Sequence, residues 1–504
     1  MDDLESKHTR NPMANATLDQ SSAASSESPT PTNAQFMETN LAQGIVGWDG
    51  QADPENPQNF SQARKWGLLS TISAITFISP LASSMVSPSV IFMKNDLGVS
   101  NDVVLSFSVT FGPLLLAPLS EIYGRRIVLS CANWFFVTWQ IGCALAPNIT
   151  SLIIFRFLAG IGGVGCITLG AGIIADLFPV EQRGMATSIW TMGPLFGPVV
   201  GPICGGFIAE NIGWRWAYWI LLIVGGALSL AVEFLYQETY APVLIQRKTR
   251  RLAKTLDRTD LRSAYALSDD DKSISTQMVL LRGLKRPILL LTKSPIILLL
   301  ATYLSFTYGL LYLFFTTITS VFQSQYGFSV GLTGLAYLGL GCGSILGLAL
   351  IATTNDKIVI NLTAKNGGKY EPEMRLSTMT FFACLLPISF FWYGWAAEYQ
   401  VHWIVPIIGM MPFGAGMIGI LMPILTYSID SYPLYAASVN ATMTATRSMF
   451  GALLPLAGPR LFSSLGLGWG NSLLGFLSLA FVPVPILFNH YGKRIRERFP
   501  VNLD

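Results

Sequence analysis

Residues 103–146 read VVLSFSVTFGPLLLAPLSEIYGRRIVLSCANWFFVTWQIGCALA. Two apolar runs, 103–121 and 127–146, flank a short link, and all the charge of the stretch, Glu121, Arg125 and Arg126, sits in or beside that link. An α-helix needs about 20 predominantly apolar residues to cross roughly 30 Å of hydrocarbon, and each run comes close to that. Gly124 permits a tight turn between them. The stretch therefore reads as two consecutive membrane crossings sharing a charged loop at one surface.

The alternation extends along the chain. Apolar runs recur at about 66–90, 103–121, 127–146, 152–176, 185–209 and 216–236, then at 290–321, 331–353, 376–397, 402–427, 435–459 and 471–489. These form an N-terminal half over 65–236 and a C-terminal half over 290–489, each with six runs. A polar, strongly basic central loop at 237–289, containing KTRRLAK and SDDDK, joins them. Residues 1–64, rich in Ser, Thr, Asn, Pro and acids, cannot bury enough apolar surface to offset ordering entropy and are expected to be a disordered tail. Residues 490–504 make a second tail. The expected fold class is an all-α integral membrane bundle of twelve transmembrane helices in two six-helix halves. Composition agrees, because only 12% of the 504 residues are charged, against about a quarter in soluble domains.

Charge placement sets the orientation. Of the 32 Lys and Arg residues, only Lys94, Arg215 and Arg460 fall in loops on the far side and only Arg156 and Arg447 in the membrane. The rest lie with both termini, which the positive-inside rule places in the cytoplasm. Several function classes drop out. The chain has no G-x-x-x-x-G-K-[ST] loop for a nucleotide-driven pump. Its histidines, His8, His402 and His490, are scattered, so no catalytic constellation is visible and no enzyme is expected. The six cysteines lie inside apolar runs and none pair at metal-ligand spacing, so no metal or cofactor is expected. A net charge of +3 with no basic cluster interleaved with aromatics argues against nucleic acid as a partner.

Four further features carry chemistry. Arg156, in SLIIFRFLAGIGGVG (151–165), lies inside the bilayer. A guanidinium there costs roughly 3 kcal/mol unless paired or hydrated, so it is a functional residue or a snorkelling end residue. GPLFGPVVGPICGG (193–206) sets Gly193-Pro194, Gly197-Pro198 and Gly201-Pro202 ahead of Gly205-Gly206. Small residues every four positions admit a close neighbour, and the prolines open the helical ladder; a generic packing seam is the alternative. YLSFTYGLLYLFF (303–315) places Tyr308 and Tyr312 on one helix, aromatic faces with hydroxyl tips suited to flat amphipathic molecules. Phe413 adds apolar surface, Arg447 is a second buried cation, and Asn440 serves either substrate contact or interhelical hydrogen bonding. Tyr308, Tyr312, Phe413, Asn440 and Arg447 are the candidate cavity residues.

These motifs resemble those of a known family. Glu121 followed by Gly124-Arg125-Arg126 matches the major facilitator superfamily signature between its second and third helices, with Glu where most members carry Asp. Arg156 to Gly160 resembles the superfamily's fourth-helix motif, and Gly193 to Gly206 resembles the antiporter motif of its drug:proton exporters. WDGQADPENPQNFSQARKW (48–66), ETYAPVLIQRKTRRLAK (238–254) and YSIDSYPLYAASVNATMTATRSMFGA (427–452) resemble the fungal twelve-span multidrug:proton antiporters, so the likeness runs from Trp48 to the chain end. It implies the major facilitator fold and an efflux pump for drugs, toxins or secondary metabolites in exchange for protons. It also implies a monomer in the plasma membrane, a conformational latch at Glu121, Gly124, Arg125 and Arg126, and proton coupling at Arg156.

Antiport needs a group that gains and loses a proton, usually a buried carboxylate whose pKa desolvation raises. The first run, where several relatives keep such acids, has none; the acids near membrane ends are Glu121, Asp176, Glu233 and Asp430. Glu233 is the candidate carrier, and direct competition at Arg156 is the alternative. An uptake carrier of the same fold, such as a sugar porter, would show a Pro-Glu-Ser-Pro-Arg-type sequence where this chain reads QETYAPVL (237–244). A polyamine or organic-cation exporter would want acids lining the cavity.

Overall fold

A computed structural model describes residues 38–98, 112–265, 285, 288–432 and 436–499. Where no water reaches the backbone, each segment must satisfy its own hydrogen bonds, and the chain does so with helices. Ten stretches among the described residues are long and apolar enough to cross a membrane. Two of the twelve expected runs are hidden in that count. Gly112–Tyr123 is the described part of the second run, too short to register alone. Ser438–Arg498 registers as one stretch of 61 residues, yet at 1.5 Å per residue it would reach about 90 Å, three times the hydrocarbon thickness. It breaks at Gly466, whose φ of 74° and ψ of 176° leave the helical region, and so holds two crossings.

The N-terminal half comprises span 1 (Gln62–Met85), span 2 (Gly112–Tyr123), span 3 (Arg125–Ala144), span 4 (Ile149–Gly163 with Gly165–Leu177), span 5 (Val180–Asn211) and span 6 (Arg215–Leu235). The C-terminal half comprises span 7 (Pro295–Tyr326), span 8 (Val330–Leu335 with Leu338–Lys365), span 9 (Met379–Glu398), span 10 (Ile404–Gly409 with Met411–Ser431), span 11 (Ala436–Leu453) and span 12 (467–481). The halves repeat one pairing pattern. Span 1 packs on 5, 2 on 4, and 3 on 4 and 6; correspondingly span 7 packs on 11, 8 on 10, and 9 on 10 and 12. Spans 5 and 8, and spans 2 and 11, then join the halves. This is the internal-repeat construction of secondary transporters, with the site between the repeats.

The chain outside the spans is more ordered than its composition indicates. Residues 1–37 and the SDDDK stretch lie outside the described residues. Within the expected tail, however, Ile45–Val46 pairs in parallel with Arg262–Ser263 of the central loop, and Trp48 is buried. KTRRLAK is helical, within Ala241–Thr255, and its Lys248 lies 2.8 Å from Asp49 and 3.1 Å from Asp53. Burial pushes the Asp53 carboxyl up, but the amides of Asp49 and Glu55 and the Lys248 ammonium outweigh it and hold its pKa below the ordinary value. Burial likewise pulls Lys248 down, and the two carboxylates more than reverse it. The tail is held by partners some 200 residues away, which local composition cannot reveal. In the C-terminal tail, Pro483–Arg498 is a helix whose Lys493 and Arg496 reach Glu371 at 2.5 Å and Glu373 at 2.8 Å. Both ends of the described chain thus sit at one face, called here the terminal face.

Candidate functional site

Between the halves, toward the face opposite the termini, lies a cavity of about 440 Å³. Span 1 and the turn after it form one wall with Ser83, Val86 and Ser87, and Ser79 lies one helical turn before Ser83 on the same face. Ser84, one position on, turns the other way and donates to the Gly197 carbonyl of span 5 at 3.2 Å. Span 7 forms the opposite wall with Tyr312, Phe315, Thr316 and Ser320, and Lys94 and Gln325 stand at the outer end. The walls touch through hydroxyls. Ser83 and Tyr312 lie 3.0 Å apart, and Ser87 donates to the Phe315 carbonyl.

Two smaller chambers open around the same serines. One is lined by Ser79, Ser83, Gln140, Arg156 and Tyr218; the other by Ser79, Ser83, Tyr308, Tyr312 and Arg447. The structure therefore brings both intramembrane arginines to one place, from opposite halves. Arg447 stacks over Tyr308 at 4.9 Å, and its Nε is buried with no hydrogen-bond partner. Arg156 faces Tyr218, whose hydroxyl makes no well-formed hydrogen bond. Among the described residues neither arginine makes an ion pair, and no Asp, Glu or His lines any of the three chambers. No cluster of metal-ligating side chains occurs among the described residues either.

The other predicted residues fall elsewhere. Phe413 is fully buried in the C-terminal core, its ring 5.0 Å from Phe314, and lines none of the chambers. Asn440 also lines none of them, and its Oδ1 is buried without a partner. Glu233 is not brought to Arg156. It lies near the terminal face, about half exposed, 3.6 Å from Arg126 and accepting from Ser130.

The charged turn is a capping structure. Gly124 has φ of +95°, and the Glu238 carboxylate sits where a Cβ would be. That carboxylate accepts the Arg125 amide at 2.9 Å and the Arg126 amide at 3.3 Å, closing the amino end of span 3 where the helix dipole favours an anion. The Arg125 guanidinium reaches Ser120 at 2.5 Å and Asp176 at 3.4 Å, and lies 4.6 Å over the Tyr240 ring. The side chain of Glu121 lies outside the described residues. Each of these described contacts stays within the N-terminal half or the segment just after span 6. At this face the halves meet through the packing of span 2 on span 11.

The Gly-Pro repeat is a seam against span 1. A Cβ on Gly193 would stand 2.7 Å from the Ser73 carbonyl, one on Gly197 2.8 Å from the Pro80 ring, and one on Gly201 2.9 Å from the Met85 amide. A Cβ on Gly205 would meet the Met85 carbonyl. Pro194, Pro198 and Pro202 lie inside span 5 without ending it. Gly206 faces the other half: its Cβ would stand 2.7 Å from the Val330 carbonyl of span 8, beside Glu210, which accepts the Gly331 amide at 2.5 Å.

Sequence reasoning missed Glu238, Tyr218, Glu210 and the Ser79–Ser83–Ser87 face. The serine spacing was visible. Glu238 stood within the quoted ETYAP motif, but nothing in the sequence says that its carboxylate folds back onto span 3.

A two-half helical bundle with a cavity at the boundary defines a polytopic membrane carrier. The comparisons with known proteins make this specific. Residues 72–459 match the model of the Major Facilitator Superfamily. The chain is 47% identical over 496 residues to the MFS-type transporter penM of Penicillium rubens, covering 95% of this chain and 96% of that one. It is 42% identical over 469 residues to the efflux pump radE of Floropilus chiversii, covering 91% and 86%. Among solved structures, the proton:xylose symporter XylE shares the fold with a TM-score of 0.60 at 16% identity, covering 85% of this chain and 96% of that one. The chain belongs to the Major Facilitator Superfamily, and is a multi-pass transporter of small molecules rather than an enzyme.

Proposed function

We propose that the protein exports a hydrophobic or amphipathic small molecule, a secondary metabolite, toxin or drug, in exchange for protons. It acts as a monomer in the plasma membrane with the terminal face in the cytoplasm. The observation that carries this reading is the 440 Å³ cavity, bounded by both halves and reached by Arg156. That volume lies in the range of small-molecule sites, about 300–1,000 Å³. The Gly-Pro seam and the efflux pump among the relatives support the outward direction.

In this mechanism the halves rock about their boundary. With spans 2 and 11 packed at the cytoplasmic face, the cavity lies toward the outside. Exchanging the two openings parts the packing of spans 2 and 11 at the cytoplasmic face and closes the outer boundary, where spans 1 and 7 already touch at Ser83–Tyr312 and Ser87–Phe315. Arg156 couples the cycle through the water or substrate it holds. Glu233, paired with Arg126 within the N-terminal half, is the candidate proton carrier. One proton moving inward at roughly 150 mV supplies about 3.5 kcal/mol, and one to two pH units add about 1.4–2.8. That sustains a substrate gradient of about a thousand-fold or more.

The test is efflux of a fluorescent drug panel from pump-deficient yeast expressing the protein or Arg156→Ala, with and without a protonophore. Retention should fall with the intact protein only, and the protonophore should abolish the effect. Raised uptake, or transport indifferent to the gradient, would mean an importer or facilitator.

A further inference from the structure

We propose that the molecule this cavity takes is an amphipathic organic anion whose carboxylate is held by Arg447 and Arg156. The direction of transport rests on the export reading; the charge of the ligand does not. Three observations converge. The two guanidinia come from opposite halves and open into chambers that share Ser79 and Ser83. Among the described residues neither has a carboxylate partner, and the Arg447 Nε is buried with no acceptor. The lining supplies Ser and Thr hydroxyls, aromatic faces and a third cation, Lys94, but no acid among the described residues.

A buried cation is ordinarily matched by an anion or by hydrogen bonds. Among the described residues the Tyr308 ring stacks on Arg447, and a π face leaves the N–H donors unused. Guanidinium is the group that matches a planar carboxylate with two parallel hydrogen bonds, and it cannot shed its proton to escape burial. An ammonium ligand would meet two like charges with no counter-charge. A neutral carbonyl or hydroxyl could accept from the Nε donor but would leave the two positive charges without a counter-charge. The apolar body of the anion lies against Tyr308, Tyr312 and Phe315, whose rings form one run of neighbours with centroids 5.3 and 5.5 Å apart.

The test uses three probes with one aromatic body: 1-naphthaleneacetate, the neutral 1-naphthaleneacetamide and the cationic 1-naphthylmethylamine. Each is titrated calorimetrically into the purified full chain. The acid should bind at least about tenfold more tightly than the amide, as one charge-assisted contact is worth that much, and the amine more weakly still. Arg447→Gln and Arg156→Gln should each erase the preference for the acid, and Arg447→Lys should keep part of it, with unfolding midpoints confirming that the variants fold. Equal binding of amide or amine, a preference unmoved by Arg447→Gln, or no binding of any probe would overturn the proposal. Efflux assays separate it from the export reading. Arginine-dependent binding of the acid by a protein that makes energised cells accumulate it would keep the anion site and defeat export. Gradient-driven expulsion of the amine would keep export and defeat the anion site.

Discussion

Span 1 has two unlike neighbours. Against span 5 it forms a seam in which Gly193, Gly197, Gly201 and Gly205 bring backbone onto backbone, with no room for a methyl group. Against span 7 it forms a boundary touched by two hydroxyl contacts, with a cavity around them. The first is a broad close-packed surface whose opening would forfeit dispersion along its whole length. The second is a pair of hydrogen bonds, each worth about 1 kcal/mol net and replaceable by water or ligand. The difference teaches where the molecule can move: the seam keeps spans 1 and 5 in one rigid half, and the boundary is where the halves part.

The largest effect should come from breaking the seam. Gly205→Val places a branched side chain on the Met85 carbonyl, and overpacking of this kind costs about 3 kcal/mol or more. Membrane abundance and thermal unfolding should both fall, whereas Gly226→Ala, whose Cβ would lie 3.9 Å from Val137, should leave them unchanged. Next in size is Glu238→Ala, which strips the buried cap from span 3 and should lower stability by about 2 kcal/mol, read as a lower unfolding midpoint. Third, Tyr312→Phe removes the cross-boundary bond to Ser83 and leaves the seam intact. It should leave stability within about 1 kcal/mol while changing the partition between the two openings about fivefold, as read by thiol labelling from each side.

The smallest effect concerns the tether of residues 38–61. The Asp53 pKa is lowered in the folded state, so its contribution is present above the unfolded carboxylate value near 3.9 and is lost as pH falls through the lowered value. The Lys248 pKa is raised, so its contribution is present below about 10.4 and is lost as pH rises through the raised value. Hydrogen exchange in 38–61, corrected for the intrinsic rate, should therefore be flat from about pH 5 to 9. Asp53→Asn should speed it throughout that window.

Hydropathy and the placement of Lys and Arg were enough for the spans and their division into halves, because crossing a bilayer is a constraint of length and polarity on each segment alone. The seam was legible as well, since a Gly every fourth residue has one geometric use on a helix. Arg156 and Arg447 announced themselves by their cost in hydrocarbon. Their convergence did not, because it depends on how span 4 of one half and span 11 of the other are brought around Ser79 and Ser83. Phe413 shows the converse: an aromatic on an apolar helix reads alike whether it faces a cavity or, as here, the ring of Phe314. The Glu238 cap and the Lys248 clasp stayed hidden because each joins segments more than 100 residues apart.

The account rests on the seam staying shut while the boundary opens, and paired cysteines test this directly in a cysteine-free background. Ser87→Cys with Phe315→Cys bridges the boundary at a hydroxyl-to-carbonyl contact. Ser73→Cys with Ile189→Cys bridges spans 1 and 5 at a contact of the same kind, 3.4 Å long. Oxidation should stop transport in the first pair, with reduction restoring it, and should leave the second pair active. Transport that survives the boundary bridge, or stops at the seam bridge, would contradict a carrier whose halves rock as rigid bodies about this cavity.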